Sequence, residues 1–263
     1  MTPQVQLAQL RAQLAERDQR LAEMAAAHED FLRAVSHDLR APLRHITSYG
    51  PLVTEVLQEA GGTLPPEEAL QEALEFLATM EQSARRMGQM LDALLSLSRI
   101  ARAPLQWQPL AQDALADLVA QVQNALASSA VDRAVQWQVA LCHAAVRADA
   151  ALLRQMLTEL LANALKFTRG CELARIRIAL EHGAGGQVTL QVQDNGAGFN
   201  PAQSAGLFGV FQRLHRESEF EGVGAGLAMV RAIAQRHGGQ VSASAVPGQG
   251  CTVCVTWPGA VAA

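Results

Sequence analysis

Apolar residues along the first sixty positions recur at alternating steps of three and four: Leu7, Leu10, Leu14, Leu21, Met24, Phe31 and Val35. That spacing is the seam of a coiled coil and predicts one long helix over residues 5–60. Arg17 and His28 also fall on the seam, and polar seam residues trade stability for register or oligomer choice. Counting onward puts Asp38 and Pro42 there too, so the coiled coil is expected to loosen past Val35. The stretch "EAGGTLPPEE", 59–68, reads as a turn followed by a helix start. A second helix then runs to about Ile100, with Leu70, Leu74, Leu77, Ala84, Leu91 and Leu95 at helical spacing. One hairpin of two amphipathic helices cannot cover both apolar faces, so a dimeric four-helix bundle is expected.

Two prolines in "ARAPLQWQPL", 101–110, break the helical pattern and place a domain boundary there. Beyond it the pattern alternates. Helices are predicted at 111–128, 149–168 and 225–237, and strands at 135–140, 172–181, 187–193, 240–246 and 251–257. Strands mixed with helices, with hairpin signals such as "HGAGG", argue for an α+β layer with an antiparallel or mixed sheet. The fold class is therefore α + α/β: a helical-hairpin dimerisation domain, then an α+β two-layer domain.

Composition narrows the function. Hydrophobic residues are 49 % and charged residues 17 % of 263, which supports a buried core and excludes a disordered tail. With a net charge of −4 and no Lys/Arg cluster, nucleic-acid binding is not expected. No apolar run is long enough to span a membrane, and the N-terminus is too polar for a secretory signal. Of the cysteines Cys142, Cys171, Cys251 and Cys254, only the last two are close, and no second pair completes a zinc site. Reduced thiols and a cytoplasmic location follow as expectations.

Five segments carry candidate chemistry. In "TELLANALKFT", 158–168, Glu159, Asn163 and Lys166 share a helix face at i, i+4 and i+7. A carboxamide oxygen suits Mg²⁺ and an ammonium suits phosphate, although a solvated polar face reads the same way. In "VQDNGAGF", 192–199, Asp194 ends a strand before Gly196 and Gly198. An ionised Asp accepts only and so selects an amino donor such as adenine N6, while a plain Asx-Gly turn is equally compatible. In "EGVGAGLAMVRAIAQRHGG", 221–239, Gly222, Gly224 and Gly226 run into a helix whose unpaired N–H groups favour an anion. "PGQGCTVCV", 247–255, is a Gly turn into a closing strand. Upstream, "SHDLRAPLRH" puts His37, Asp38 and Pro42 together on the first helix.

In this order the segments resemble the nucleotide-binding domain shared by histidine kinases, DNA gyrase, the mismatch-repair ATPases and their chaperone relatives. With "FLRAVSHDLRAPL" upstream, the chain from about residue 28 resembles a sensor histidine kinase core, and "FQRLHRESEFEGVGAGLA" looks most like the phytochrome-type branch. The resemblance implies an N-terminal coiled-coil helix over 1–27, a dimerisation and phosphotransfer domain over 28–102, a linker over 103–112 and an ATP-binding domain over 113–260. It implies ATP and Mg²⁺, with His37 as phosphoacceptor and Asp38 as the acid that orients it. Asn163, with Glu159, would hold the metal. Lys166 would meet phosphate and Asp194 the adenine amino group. Gly196 and Gly198 would shape the pocket. Phe208 and Phe211 would anchor a lid ending at Gly222, Gly224, Gly226 and Leu227, and Thr252 would line the last turn. His45 reads as a helix-surface residue, and His215 as either a phosphate contact beside Arg213 or an exposed lid residue.

The implied partners are a second copy of the chain, a response regulator carrying the accepting Asp, and an upstream sensor domain or protein acting through the coiled coil. Ala41 stands where many relatives carry Thr or Asn, so weak phosphatase activity is expected. Glu159 stands where most histidine kinases carry Asn and gyrase-like ATPases a water-activating Glu. Val223 and Ala225 replace the usual Thr and larger aliphatic residue, so looser lid closure is expected. The competing readings are an ATPase of the same class and a kinase-silent dimeric scaffold.

Overall fold

The computed structural model describes residues 3–60, 62–131, 133–215 and 219–259. They fall into two compact units, Met1–Gly88 and Gln89–Ala263. The first holds α1, Pro3–Glu59, and the start of α2, Pro66–Arg102. The turn between them is tied by the Gly62 and Leu64 amides donating to the Glu59 carbonyl at 3.0 and 3.3 Å. Pro66 opens α2, where its missing N–H costs nothing, and Glu67 and Glu68 meet the positive end of the helix.

Val35 and Pro42 on α1 and Ala69, Ala73 and Ser83 on α2 are buried, and the Tyr49 and Phe76 rings pack 5.3 Å apart. Small residues on α2 allow close approach. Leu32, Leu43, Leu52, Leu57, Leu70, Leu74 and Leu77 stay exposed. Both Pro42 and Pro51 lie inside α1, which remains one helical element. Of the expected seam, Leu14 and Arg17 are exposed, while the side chains of Leu7, Leu10, Leu21, Met24 and His28 lie outside the described residues. His45 is exposed, as expected, with its ring 6.2 Å from Tyr49.

The second unit contains β1 (Trp107–Leu110), α3 (Gln112–Ala125), β2 (Val135–Leu141), β3 (Val146–Asp149), α4 (Ala150–Phe167), β4 (Ala174–His182), β5 (Gln187–Asp194), α5 (Gly226–Arg236), β6 (Gln240–Val246) and β7 (Gly250–Pro258). The main sheet runs β2-β4-β5-β7-β6; β2 is parallel to β4 and every other pair is antiparallel. The sheet is thus mixed. Ile176, Ile178, Val188, Leu190, Val192, Val255 and Trp257 are buried, while Arg175 and Arg177 on the same strands as Ile176 and Ile178 are exposed. This alternation is that of a sheet with one face covered. Leu115 and Leu118 of α3, Leu157 and Leu161 of α4, and Val230 and Ile233 of α5 complete the core.

The periodicity did not predict β1 and β3. Each has only four residues, too short for a period to register, and they form a two-stranded antiparallel sheet with Trp107 opposite Asp149. Part of the stretch read as a linker is therefore β-structure. Among the described residues no helix is long and apolar enough to cross a membrane, and the cysteines are free.

Candidate active site

Asp149 starts α4 in the way helix chemistry favours: its carboxylate accepts from the Ala151 and Leu152 amides at 3.0 and 3.1 Å. Leu153, Leu157, Leu160, Leu161 and Leu165 point to the core. That rotation leaves Glu159, Asn163 and Lys166 to line a cavity of about 600 Å³. The far end of α4 is fastened twice. The Thr168 hydroxyl donates to the Ala164 carbonyl at 2.8 Å, and Arg133 donates to the Leu165 and Thr168 carbonyls at 3.0 and 2.6 Å. A guanidinium here satisfies carbonyls that the helix leaves unpaired and meets its negative end.

The Phe167 carbonyl accepts from the Ala197 amide at 3.0 Å and brings the end of α4 against the loop after β5. In that loop Asp194 receives the Gly196 amide at 2.8 Å. Burial raises its carboxyl above the usual range, and the Gly196 and Cys251 amides, which favour the ionised form, work against that. Gly198 has φ of 60°, and a Cβ there would lie 2.1 Å from the Val246 carbonyl oxygen, so backbone passes where no side chain fits.

Phe199, Leu207, the stretch from Gln212 to His215 and the stretch from Phe220 to Ala225 line another side of the cavity. His215 donates from Nε2 to the Gly198 carbonyl at 2.9 Å and packs with Phe167 and Phe220 at centroid distances of 5.3 and 5.1 Å. Arg169 and Glu221 form a two-pronged ion pair. Lys166 sits with its Nζ 4.6 Å from the Phe167 ring centroid. Burial lowers its pKa, opposed by Glu221 and Glu159 and reinforced by Arg213 and Arg169. Glu159 is raised by burial, with Lys166 opposing. Its Oε2 lies 2.5 Å from where a Cβ on Gly226 would stand. Glu159, Asn163, Lys166, Arg169, Arg213 and Glu221 thus line one cavity, with Glu159 and Asn163 beside Gly226 at the start of α5.

The structure brings together most of the expected nucleotide residues. Glu159, Asn163, Lys166, Asp194, Gly198, Gly222, Gly224, Gly226 and Leu227 all line the cavity. Gly196 does not line it but donates its amide to Asp194. Phe211 is buried with φ of 61° and does not line it. Thr252 falls on the other face of β7, because side chains alternate along a strand, and Cys251 and Val253 line the cavity instead. Burial, then Asp194 and Cys254, push the Cys251 thiol up to about 12. Sequence reading passed over Cys251, Phe167, Phe220 and the Arg169–Glu221 pair. The strand alternation of "GCTVCV" was the one available signal for Cys251.

On α1, His37 is 81 % exposed at its side chain and pairs through Nδ1 with Asp38 Oδ1 at 3.0 Å. The carboxylate only accepts, so Nδ1 carries a proton, and in the neutral ring the lone pair is on Nε2.

The donor set fits a nucleotide with its metal: Asn163 and Glu159 offer the hard oxygens Mg²⁺ prefers, and Lys166 and the α5 N-terminus suit phosphate.

Two family descriptions match the chain. "His Kinase A (phospho-acceptor) domain" covers residues 27–103, and "Histidine kinase-, DNA gyrase B-, and HSP90-like ATPase" covers 148–261. The chain is 29 % identical over 252 residues to the methanogenesis regulatory histidine kinase FilI of Methanothrix harundinacea, spanning 96 % of this chain and 27 % of FilI. It is 31 % identical over 247 residues to the circadian input-output histidine kinase CikA of Synechococcus elongatus, spanning 90 % of this chain and 31 % of CikA. The chain therefore spans about a third of these relatives' length. Phytochromes and other sensor kinases match at the same 28 % identity, which singles out no branch. In fold it resembles full-length ShkA in complex with AMPPNP, with a TM-score of 0.57 and 24 % identity over 84 % of this chain and 47 % of that one. A phosphoacceptor helical hairpin followed by this mixed-sheet ATP-binding module makes the chain a two-component sensor histidine kinase catalytic core.

Proposed function

We propose that the chain phosphorylates His37 from Mg-ATP and passes the phosphoryl group to an Asp of a separate response regulator. The observation that carries this reading is the His37–Asp38 pair, which holds the proton on Nδ1 and leaves an exposed Nε2 nucleophile. Nε2 forms the bond to the γ-phosphorus as the bond to the β,γ-bridging oxygen breaks. ADP leaves, and Asp38 takes up the charge developing at Nδ1. Phosphoryl transfer asks the protein mainly for positioning and charge neutralisation. Lys166 and the amides around Gly222, Gly224 and Gly226 would hold phosphate, and Asp194 would accept the adenine amino group. When bound through Asn163 and Glu159, Mg²⁺ would neutralise charge on the phosphates.

The exposed leucines of α1 and α2 support a homodimeric bundle, and the seam from Leu7 onward a coiled coil carrying input from a sensor. The family matches support a phosphotransfer domain near 28–102 and an ATP-binding domain near 113–260, with a linker between. The lid sequence supports the phytochrome-type branch within the family. Incubation with γ-labelled ATP is expected to give acid-labile label on the wild type and none on His37→Gln. Label retained by the variant would refute the reading.

A second reading attaches to Glu159, a part-buried carboxylate on the same helix face as Asn163 whose pKa burial raises, the direction in which a general base is tuned. It would activate water against ATP. Glu159→Gln is expected to lower phosphate release roughly 100-fold if so, with an unchanged rate excluding that role.

A further inference from the structure

One buried titratable side chain lies outside the nucleotide cavity and is used by nothing above. His237 follows α5 and is 4 % exposed. Its Nδ1 lies 2.9 Å from the Ile233 carbonyl and its Nε2 3.1 Å from the Asp149 amide. A carbonyl can only accept and an amide can only donate, so the ring is neutral with its proton on Nδ1. His237 thereby joins the last turn of α5 to the N-cap of α4.

The linker is anchored at the same place. The Gln106 amide donates to Asp149 Oδ2 at 2.8 Å, and the Trp107 ring packs edge-on against His237 at 5.0 Å, with Trp257 at 6.3 Å on another side. Arg236 donates to the Ala103 carbonyl. The two helices held here are those that reach the nucleotide cavity, α4 through Asn163 and Lys166 and α5 through Gly226.

We propose that His237 is a positioning residue: its neutral imidazole fastens the incoming linker to α4 and α5, and its protonation opens that fastening. A proton on Nε2 would face the Asp149 N–H, donor against donor. The imidazolium would then turn to the Asp149 carboxylate and compete with the Gln106 amide for it. The charged groups facing the ring decide when this happens. Asp149 and the Ile233 carbonyl favour the cation, Arg236 opposes it, and Arg147 stands behind Trp107, 5.1 Å from that ring. Burial outweighs the favourable partners and holds the pKa below the ordinary histidine range. The unfolded chain therefore binds the proton first. The stability this site contributes is whole above the ordinary value and is lost as pH falls through the depressed one.

The test is amide hydrogen exchange on the full chain at about pH 7.5 and about pH 5, corrected for intrinsic rates. Wild type is expected to lose protection at Gln106 about tenfold in acid, the effect of one lost charge-assisted hydrogen bond. His237→Gln offers Oε1 to the Asp149 amide, cannot take a proton and keeps every other titratable group, so its protection should be the same at both values. His237→Phe keeps the packing but no acceptor and should show low protection at both. Wild-type protection unchanged by pH, or equal acid loss in His237→Gln, overturns the proposal. If either variant fails to fold, the imidazole ¹⁵N shifts of the wild type decide, since a ring protonated on Nε2 or charged near neutral pH would refute it. None of these readouts depends on label reaching His37, so a failed kinase reading and a failed His237 proposal give different results.

Discussion

Asp194 and Glu159 are carboxyls held partly out of water, and burial raises both. A carboxyl with a raised folded pKa contributes stability below its ordinary pKa and loses it as pH rises through the folded value. At neutral pH both charges therefore weigh against the fold. Replacing Asp194 by Asn is expected to raise the thermal midpoint near neutral pH, with the gain fading below about pH 4. The same change should weaken ATP binding roughly tenfold to hundredfold, the worth of a hydrogen bond to a charged group. Calorimetry across pH and titration with an ATP analogue check the two halves separately; a lowered midpoint near neutral pH would contradict the burial argument. Asp194 was legible because D-x-G-x-G after a strand is a short-range pattern. Cys251 was not, because which face of β7 meets the cavity depends on the register with β5, a partner some sixty residues away in the chain.

Among the elements, α1 and α4 differ in what their sequences reveal. The face of α4 was readable, since helical spacing alone puts Glu159, Asn163 and Lys166 together. Its fastening by Arg133 was not, because that guanidinium comes from a loop 32 residues upstream of Leu165. In α1 the structure carries one helical element through both Pro42 and Pro51. Pro42 still leaves the Asp38 carbonyl without its helical donor, since Pro has no N–H. We infer that it lets this part of α1 yield as His37 reacts. Pro42→Ala restores the donor and removes the ring clash; it is expected to stabilise α1 by up to about 3 kcal/mol and to slow labelling of His37. An unchanged labelling rate alongside raised stability would make the proline a tolerated residue and no hinge.

For the whole molecule, the hairpin leaves a row of leucines uncovered on a single copy of the chain. Leu70 and Leu74 are 56 % and 50 % exposed, and burying each such side chain is worth roughly 1.5–3 kcal/mol. The paired change Leu70→Lys and Leu74→Lys is expected to convert a dimer to a monomer by light scattering while leaving ATP-analogue binding intact. A variant that remains dimeric places the interface elsewhere. The sequence by itself determined the long helices and the order along the chain of the five strands of the main sheet, because helical and strand periods are local. Only the tertiary structure decided the strand order β2-β4-β5-β7-β6, the pairing of β1 with β3, and the meeting of Asp149, His237 and the linker. Those depend on contacts between segments far apart in the chain, where backbone hydrogen bonding and burial choose partners that no local pattern names.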